Sequence, residues 1–218
     1  MDDVEAGSRP VANLLGLAVL TYLTQGPMHA YEIHRQMKAN DAASTFKLSY
    51  GALYGVVRQL QKAGFVTAAS TGRKGNLPKH TELELTPAGR DEIGDWMRGL
   101  LSQPRHEYPA FAAALSLIVV LPPGEVRDLL QARLERLDAD RASIVEVRDR
   151  TVTGGVHPLF LVEDDYRVAL LDAEAAFIRE LLTTMNDPAS GWTGPWEAHH
   201  SGAAGNGAKA WDQNAQHS

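Results

Sequence analysis

Apolar residues recur along this chain with a helical period for most of its length, interrupted once by a short alternating stretch. Leu14, Leu17, Leu20 and Leu23 fall on one face of a first helix, which Asn13 can cap and Gly26-Pro27 ends. Ala30, Ile33 and Met37 predict a short second helix over residues 30–39. Residues 40–48 are polar and aperiodic. Ser49 then opens a third helix that runs to Ala63 and stops at Gly64, a residue suited to the left-handed position after a helix. At about 100° per residue, Leu53, Val56, Val57 and Leu60 share one arc and form its buried side. Gly51, Gly55, Arg58 and Lys62 occupy the opposite arc, with Tyr54 at the border.

The period then changes. Phe65 to Ala69 reads as a strand, residues 70–79 as a turn rich in glycine and base, and His80 to Leu85 as the returning strand with Leu83 and Leu85 inward. Thr86 as cap and Pro87 at the first helical position begin a fourth helix. Helix, helix, helix, strand, basic turn, strand, helix is the order of a winged helix-turn-helix with a two-stranded β wing. In that architecture the third helix enters the major groove and the wing contacts the flanking backbone or minor groove.

Beyond Pro104 the pattern is helical again, so the chain as a whole is mainly α. Ala110 to Leu121 predicts a short helix of buried type, ended by Pro122-Pro123. A long helix follows over residues 124–150, with Val126, Leu130, Leu134, Leu137, Ile144 and Val147 in one stripe. After Thr153-Gly154-Gly155 a last helix over 163–185 aligns Leu171, Ala175, Ile178, Leu182 and Met185. Narrow stripes on long charged helices resemble coiled-coil seams, closed within the chain or by a second copy. The expected organisation is a disordered start over 1–11 and a winged-helix DNA-binding domain over 12–104. A helical dimerisation domain over 105–187 and a disordered tail over 188–218 follow.

Charge first argues against a nucleic-acid partner, because the net value is −6. Its distribution reverses that. Between His29 and His80 eight lysines and arginines face two acids, a local +6 inside a remainder of −12. Polyanion affinity depends on the face presented rather than on the total, although a solvated surface would also be basic. The 218 residues are 44% hydrophobic and contain no cysteine, which removes disulfides and thiolate chemistry from consideration. The start is acidic, and the longest apolar run spans only residues 110–121, too short for a bilayer. A cytoplasmic protein without membrane contact is expected.

Two glycines on one helix cost about 1 kcal/mol each against alanine. On an exposed arc they make sense where backbone must approach a partner closely; Gly51, near the helix start, is also compatible with simple tolerance. Arg58 and Lys62 can reach phosphates or base edges, and the Tyr54 hydroxyl can reach a phosphate, unless Tyr54 is a half-buried core aromatic. Arg73, Lys74 and Lys79 place further base in the wing.

Four segments carry a family resemblance: Leu15-Gly16-Leu17, the run Gly26-Pro27-Met28-His29-Ala30-Tyr31-Glu32-Ile33, the run Leu48-Ser49-Tyr50-Gly51-Ala52-Leu53-Tyr54, and Leu85-Thr86-Pro87-Ala88-Gly89-Arg90. In this order and spacing, with Trp96 in the fourth helix, they resemble the PadR family of transcriptional regulators. The resemblance implies a homodimeric winged-helix repressor, dimerised by its C-terminal helices and bound to a pseudo-palindromic operator on double-stranded DNA. By position it implies Tyr31, Lys47, Ser49, Gly51, Tyr54, Arg58 and the wing bases as DNA contacts. The chain departs from the family pattern at Tyr50 and Gly55, where many members have proline, and at Leu83, where many have an aromatic. The usual basic pair of the wing is reduced to Lys79-His80. Some relatives bind small aromatic or cationic molecules near the fourth helix. Trp96, Met97, Leu100 and Leu101 would line such a site here, unless Trp96 instead packs the core.

Catalytic signatures are missing: no nucleophile elbow, phosphate-binding glycine loop or HExxH occurs. His199-His200 and His217 fall in the expected tail, where a metal would lack supporting groups. Glu163-Asp164-Asp165 sits at a helix start, where carboxylates favour the dipole. Neither enzyme activity nor a cofactor is expected. The alternatives are a winged-helix module that binds protein, or a ligand sensor without a primary DNA role.

Overall fold

The computed structural model describes residues 9–40, 45–69, 82–104 and 106–200. They fold as two compact units, Met1–His106 and Glu107–Ser218. The wing-tip residues Arg73, Lys74 and Lys79, with His217, lie outside the described residues.

In the first unit α1 (Leu14–Tyr22) is capped by the Asn13 side chain, which accepts from the Leu15 N–H at 3.0 Å. Leu15 to Leu20 are all buried, so α1 is enclosed over most of its circumference rather than along one stripe. Leu14, expected to face inward, is 45% exposed because it sits at the first turn, outside the layer that covers the rest. A 3₁₀ turn (Leu23–Gln25) and Gly26 at φ 134° lead into β1 (Met28–His29) and α2 (Ala30–Ala39). The helix α3 (Tyr50–Lys62) follows, then β2 (Val66–Ala68), β3 (Glu82–Leu85) and α4 (Pro87–Ser102).

The sheet has three strands in the order β1-β3-β2, all antiparallel. The two expected wing strands pair Val66 with Leu85 and Ala68 with Leu83, and β1 adds Met28 opposite Leu83. A two-residue strand is too short to show any period, which is why it was not expected. Val66, Leu83 and Leu85 point into the core, while Thr67, Glu82 and Glu84 face solvent. Thr86 ties the sheet to α4: its hydroxyl accepts from the Gly89 N–H and lies 2.8 Å from the Gly64 carbonyl.

Residues 9–11, part of the expected disordered start, are placed against the fold. Val11 is buried against the core, and Arg9 pairs with Glu92 while its guanidinium stands 5.4 Å from the centre of the Trp96 ring.

The second unit consists of α5 (Ala110–Ser116), α6 (Pro123–Thr153), α7 (Val162–Asn186) and α8 (Thr193–His200). Val126, Leu130, Leu134 and Leu137 of α6 pack with Ala175, Ile178 and Met185 of α7, as their stripes predict. Ile144 is half-buried and Val147 is 51% exposed, so the seam opens towards the far end of α6. Two expectations are corrected. The run Ala110–Leu121 is a short helix followed by a 3₁₀ turn, and no side chain in it is buried; it is apolar without an amphipathic period. The tail is not disordered over 188–200. There α8 seats Trp196 in the α6–α7 cluster, its indole N–H donating to the Leu121 carbonyl at 2.8 Å, and His200 Nε2 lies 2.8 Å from the Val119 carbonyl. Burial of one indole suffices to order a short segment that composition alone marks as flexible. Among the described residues no helix is long and apolar enough to cross a membrane, and no cluster of metal-binding side chains occurs.

Candidate nucleic-acid interface

The two ends of α3 fix its orientation. At the start the Ser49 hydroxyl accepts from the Ala52 N–H at 3.1 Å. At the end the Phe65 N–H reaches the Leu60 carbonyl and the Gly64 N–H the Gln61 carbonyl, with Gly64 at φ 77°. This Schellman closure needs a residue without a Cβ, and Gly64 supplies it. Between the caps Leu53, Val56, Val57 and Leu60 lock one face into the core.

The opposite face is open. A Cβ added at Gly51 or Gly55 would meet nothing within 4 Å, so neither glycine is needed for packing. Tyr54 is 47% exposed and stands outside the core cluster, which removes the core reading of that residue. Arg58 and Lys62 continue the same line at one-turn intervals, both exposed, and form no salt bridge among the described residues. Lys47 and Ser49 are exposed just before the helix start. The arc read from periodicity is therefore one continuous surface of backbone, one phenol and two cations.

Tyr31, at the start of α2, joins this surface from the neighbouring helix. Its ring lies 6.4 Å from that of Tyr50, nearly parallel at 11°, and Tyr50 in turn stacks on His34 at 3.8 Å and 16°. The sequence reading missed Tyr50 and His34. A signal was present: Tyr31 and His34 are one helical turn apart on α2, a spacing that lets both meet a third ring. Arg35, by contrast, is spoken for. It donates to the Glu32 carboxylate at 2.7 Å, and that bond, with a second from Gln36, holds the Glu32 carboxyl below the usual carboxylate range.

The expected ligand-lining set is not gathered in one place. Trp96 is 1% exposed within the core, the alternative weighed for it, and so its ring offers no open face. Leu100 packs partly on the same core, while Met97 and Leu101 are exposed.

Comparison with known proteins bears on this arrangement. Residues 19–95 match the model of the transcriptional regulator PadR-like family, a family of regulators rather than enzymes. No curated protein sequence matches the chain. Among solved structures the chain resembles Bacillus subtilis PadR in complex with operator DNA, at 18% identity and a TM-score of 0.64 over 80% of this chain and 100% of that one. It resembles the same protein in complex with p-coumaric acid, at 16% identity and 0.66 over the same shares. The Vibrio cholerae virulence activator AphA matches at 19% identity and 0.58, over 79% of this chain and 98% of that one. At such identities the likeness establishes the fold, a winged helix followed by helices. The matched residues 19–95 hold α2, α3, the sheet and most of α4, so the similarity to the PadR-like transcriptional regulators falls on the winged-helix unit.

Proposed function

We infer that this protein is a cytoplasmic homodimeric repressor that binds a pseudo-palindromic operator through α3 and the basic turn expected at 70–79. One observation carries the reading. The open face of α3 combines cations that form no salt bridge among the described residues with glycines whose missing Cβ atoms leave the backbone approachable. A duplex phosphate backbone rewards both: cations displace its counterions, and a bare helix surface seats deeply in the groove. The positions in contact are Tyr31, Lys47, Ser49, Gly51, Tyr54, Arg58 and Lys62, with Arg73, Lys74 and Lys79 from the wing. A protein-binding winged helix would instead present an apolar patch on α3, and this arc has none.

Dimerisation is supported by the second unit, whose helices leave Leu129, Phe160, Tyr166, Leu170 and Phe177 about half exposed or more. That much apolar surface calls for cover, and a second copy of the same seam supplies it. A small aromatic effector releases the operator; the p-coumaric acid complex of the fold relative supports that class. The test is a fluorescence-anisotropy titration of the full-length protein against its own upstream DNA at rising salt. Tight binding that weakens linearly on a log–log plot is the expected result. Absence of binding at low salt defeats the reading. A reporter assay then gives the sign, which the fold does not, since AphA is named an activator.

A further inference from the structure

His34 is the one buried polar or charged residue among the described residues, at 9% exposure. Burying an imidazole costs free energy, and places where a chain accepts such a local penalty tend to be functional. Here the ring faces Tyr50, 3.8 Å away and 16° from parallel, and Tyr50 also lies parallel to Tyr31. Tyr50 contributes nothing to the apolar side of α3, which Leu53, Val56, Val57 and Leu60 fill. It is the first residue of that helix, and it remains 48% exposed although one ring face is covered. A free tyrosine at a helix start explores several rotamers. One stacked on a neighbouring helix, as Tyr50 is on α2, has already lost part of that freedom, which lowers the cost of ordering it against a partner.

Building on the DNA-binding reading above, we propose that Tyr50 is a specificity-determining residue of the operator interface. Its ring edge contacts the methyl group of a thymine in the major groove, with His34 as the residue that positions it. The first turn of a groove-inserted helix is where base edges come within reach. An aromatic edge has no donor pattern to read, but the thymine methyl is the one apolar handle the groove offers. The Tyr50 hydroxyl is a competing contact, since it could bond a phosphate and carry no sequence information.

The two are separable. The full-length protein is used to select from a randomised duplex library, alongside Tyr50→Ala, Tyr50→Phe, His34→Ala and His34→Phe, each checked for folding by its melting temperature. Wild type and Tyr50→Phe are expected to enrich the same thymine, and Tyr50→Ala to lose preference at that position only. Replacing the thymine by deoxyuridine, which lacks the methyl, should weaken wild type roughly tenfold and Tyr50→Ala not at all. His34→Ala should reproduce the loss at the same position, and His34→Phe, which restores a flat ring beneath Tyr50, should recover it. A Tyr50→Ala profile identical to wild type overturns the proposal. So does a Tyr50→Phe variant that weakens equally on every sequence, which would assign the hydroxyl to a phosphate. A folded His34→Phe that fails to recover the preference removes the positioning role. If wild type enriches no sequence at all, it is the DNA-binding reading that has failed, not this extension of it.

Discussion

The cations of α3 and the arginines of the α6–α7 hairpin carry the same charge in opposite circumstances. Across the hairpin Arg133 meets Glu174, Arg141 meets Asp172, Arg148 meets Asp165 and Arg179 meets Asp138. These pairs run antiparallel along the seam and fix its register. On α3 Arg58 and Lys62 meet no carboxylate among the described residues, and the arc around them is stripped to glycine. Charge density does not separate the two regions, since both are rich in arginine or lysine. Neutralisation does. A matched arginine has little left to offer a polyanion, whereas an unmatched one exchanges its place in water for a phosphate and releases a counterion. A net charge of −6 conceals this, because the acids that produce it include those already matched in the hairpin.

The sharpest break of the comparison is Arg58→Ala combined with Lys62→Ala. DNA affinity should fall roughly a hundredfold at low salt, and the slope of log affinity against log salt should shrink by about 2. The melting temperature should hold, since neither side chain packs in the core. Arg141→Ala in the hairpin, measured in the same anisotropy titration, should leave affinity and slope where they were. Equal losses from both sites would erase the distinction.

Gly55→Ala divides stability from function. The new methyl meets no neighbour within 4 Å, so the folded protein should gain about 0.5–1 kcal/mol from helix propensity. Affinity for the operator should nevertheless drop about tenfold, the scale of one lost close contact. Denaturant melts and binding curves moving in the same direction would show that the glycine has no role at the interface.

The hairpin side of the comparison predicts less. A double-mutant cycle on Arg141 and Asp172, both about half exposed, should give a coupling of roughly 0.2–1 kcal/mol that salt reduces. Four such pairs set a register rather than hold a fold, and the buried leucines of the seam carry the stability.

Much of this was legible because helical arcs are local. The assignment of Leu53, Val56, Val57 and Leu60 to the core and of Gly51, Arg58 and Lys62 to the surface needs only the pitch of a helix and two caps. The Tyr50–His34 stack was not legible, because it joins two helices whose approach is set by tertiary packing. The seating of Trp196 against the Leu121 carbonyl was lost in a glycine-rich stretch that composition marks as unstructured. Ala110–Leu121 failed in the opposite way. An apolar run announces burial, yet with so many alanines only Phe111, Ile118 and Val119 pack partly on the α6–α7 cluster, and no side chain of the run is fully buried.

The smallest test sits inside the first unit, where Arg35 is the exception that α3 avoids. Glu32 holds it, and the bond keeps the Glu32 carboxyl below the usual carboxylate range, Arg35 contributing first and Gln36 second. A depressed carboxyl stabilises the fold above its unfolded value, and that contribution disappears as pH falls through the folded value. Glu32→Gln should therefore melt slightly below wild type at neutral pH, and the two curves should converge in acid. Freed of its partner, Arg35 becomes an unmatched cation beside Tyr31, so the same variant should bind DNA a few-fold more tightly at low salt, as one added phosphate contact would. A variant that loses stability without gaining affinity would mean that neutralisation is not what keeps Arg35 out of the interface, and that its place on α2 is.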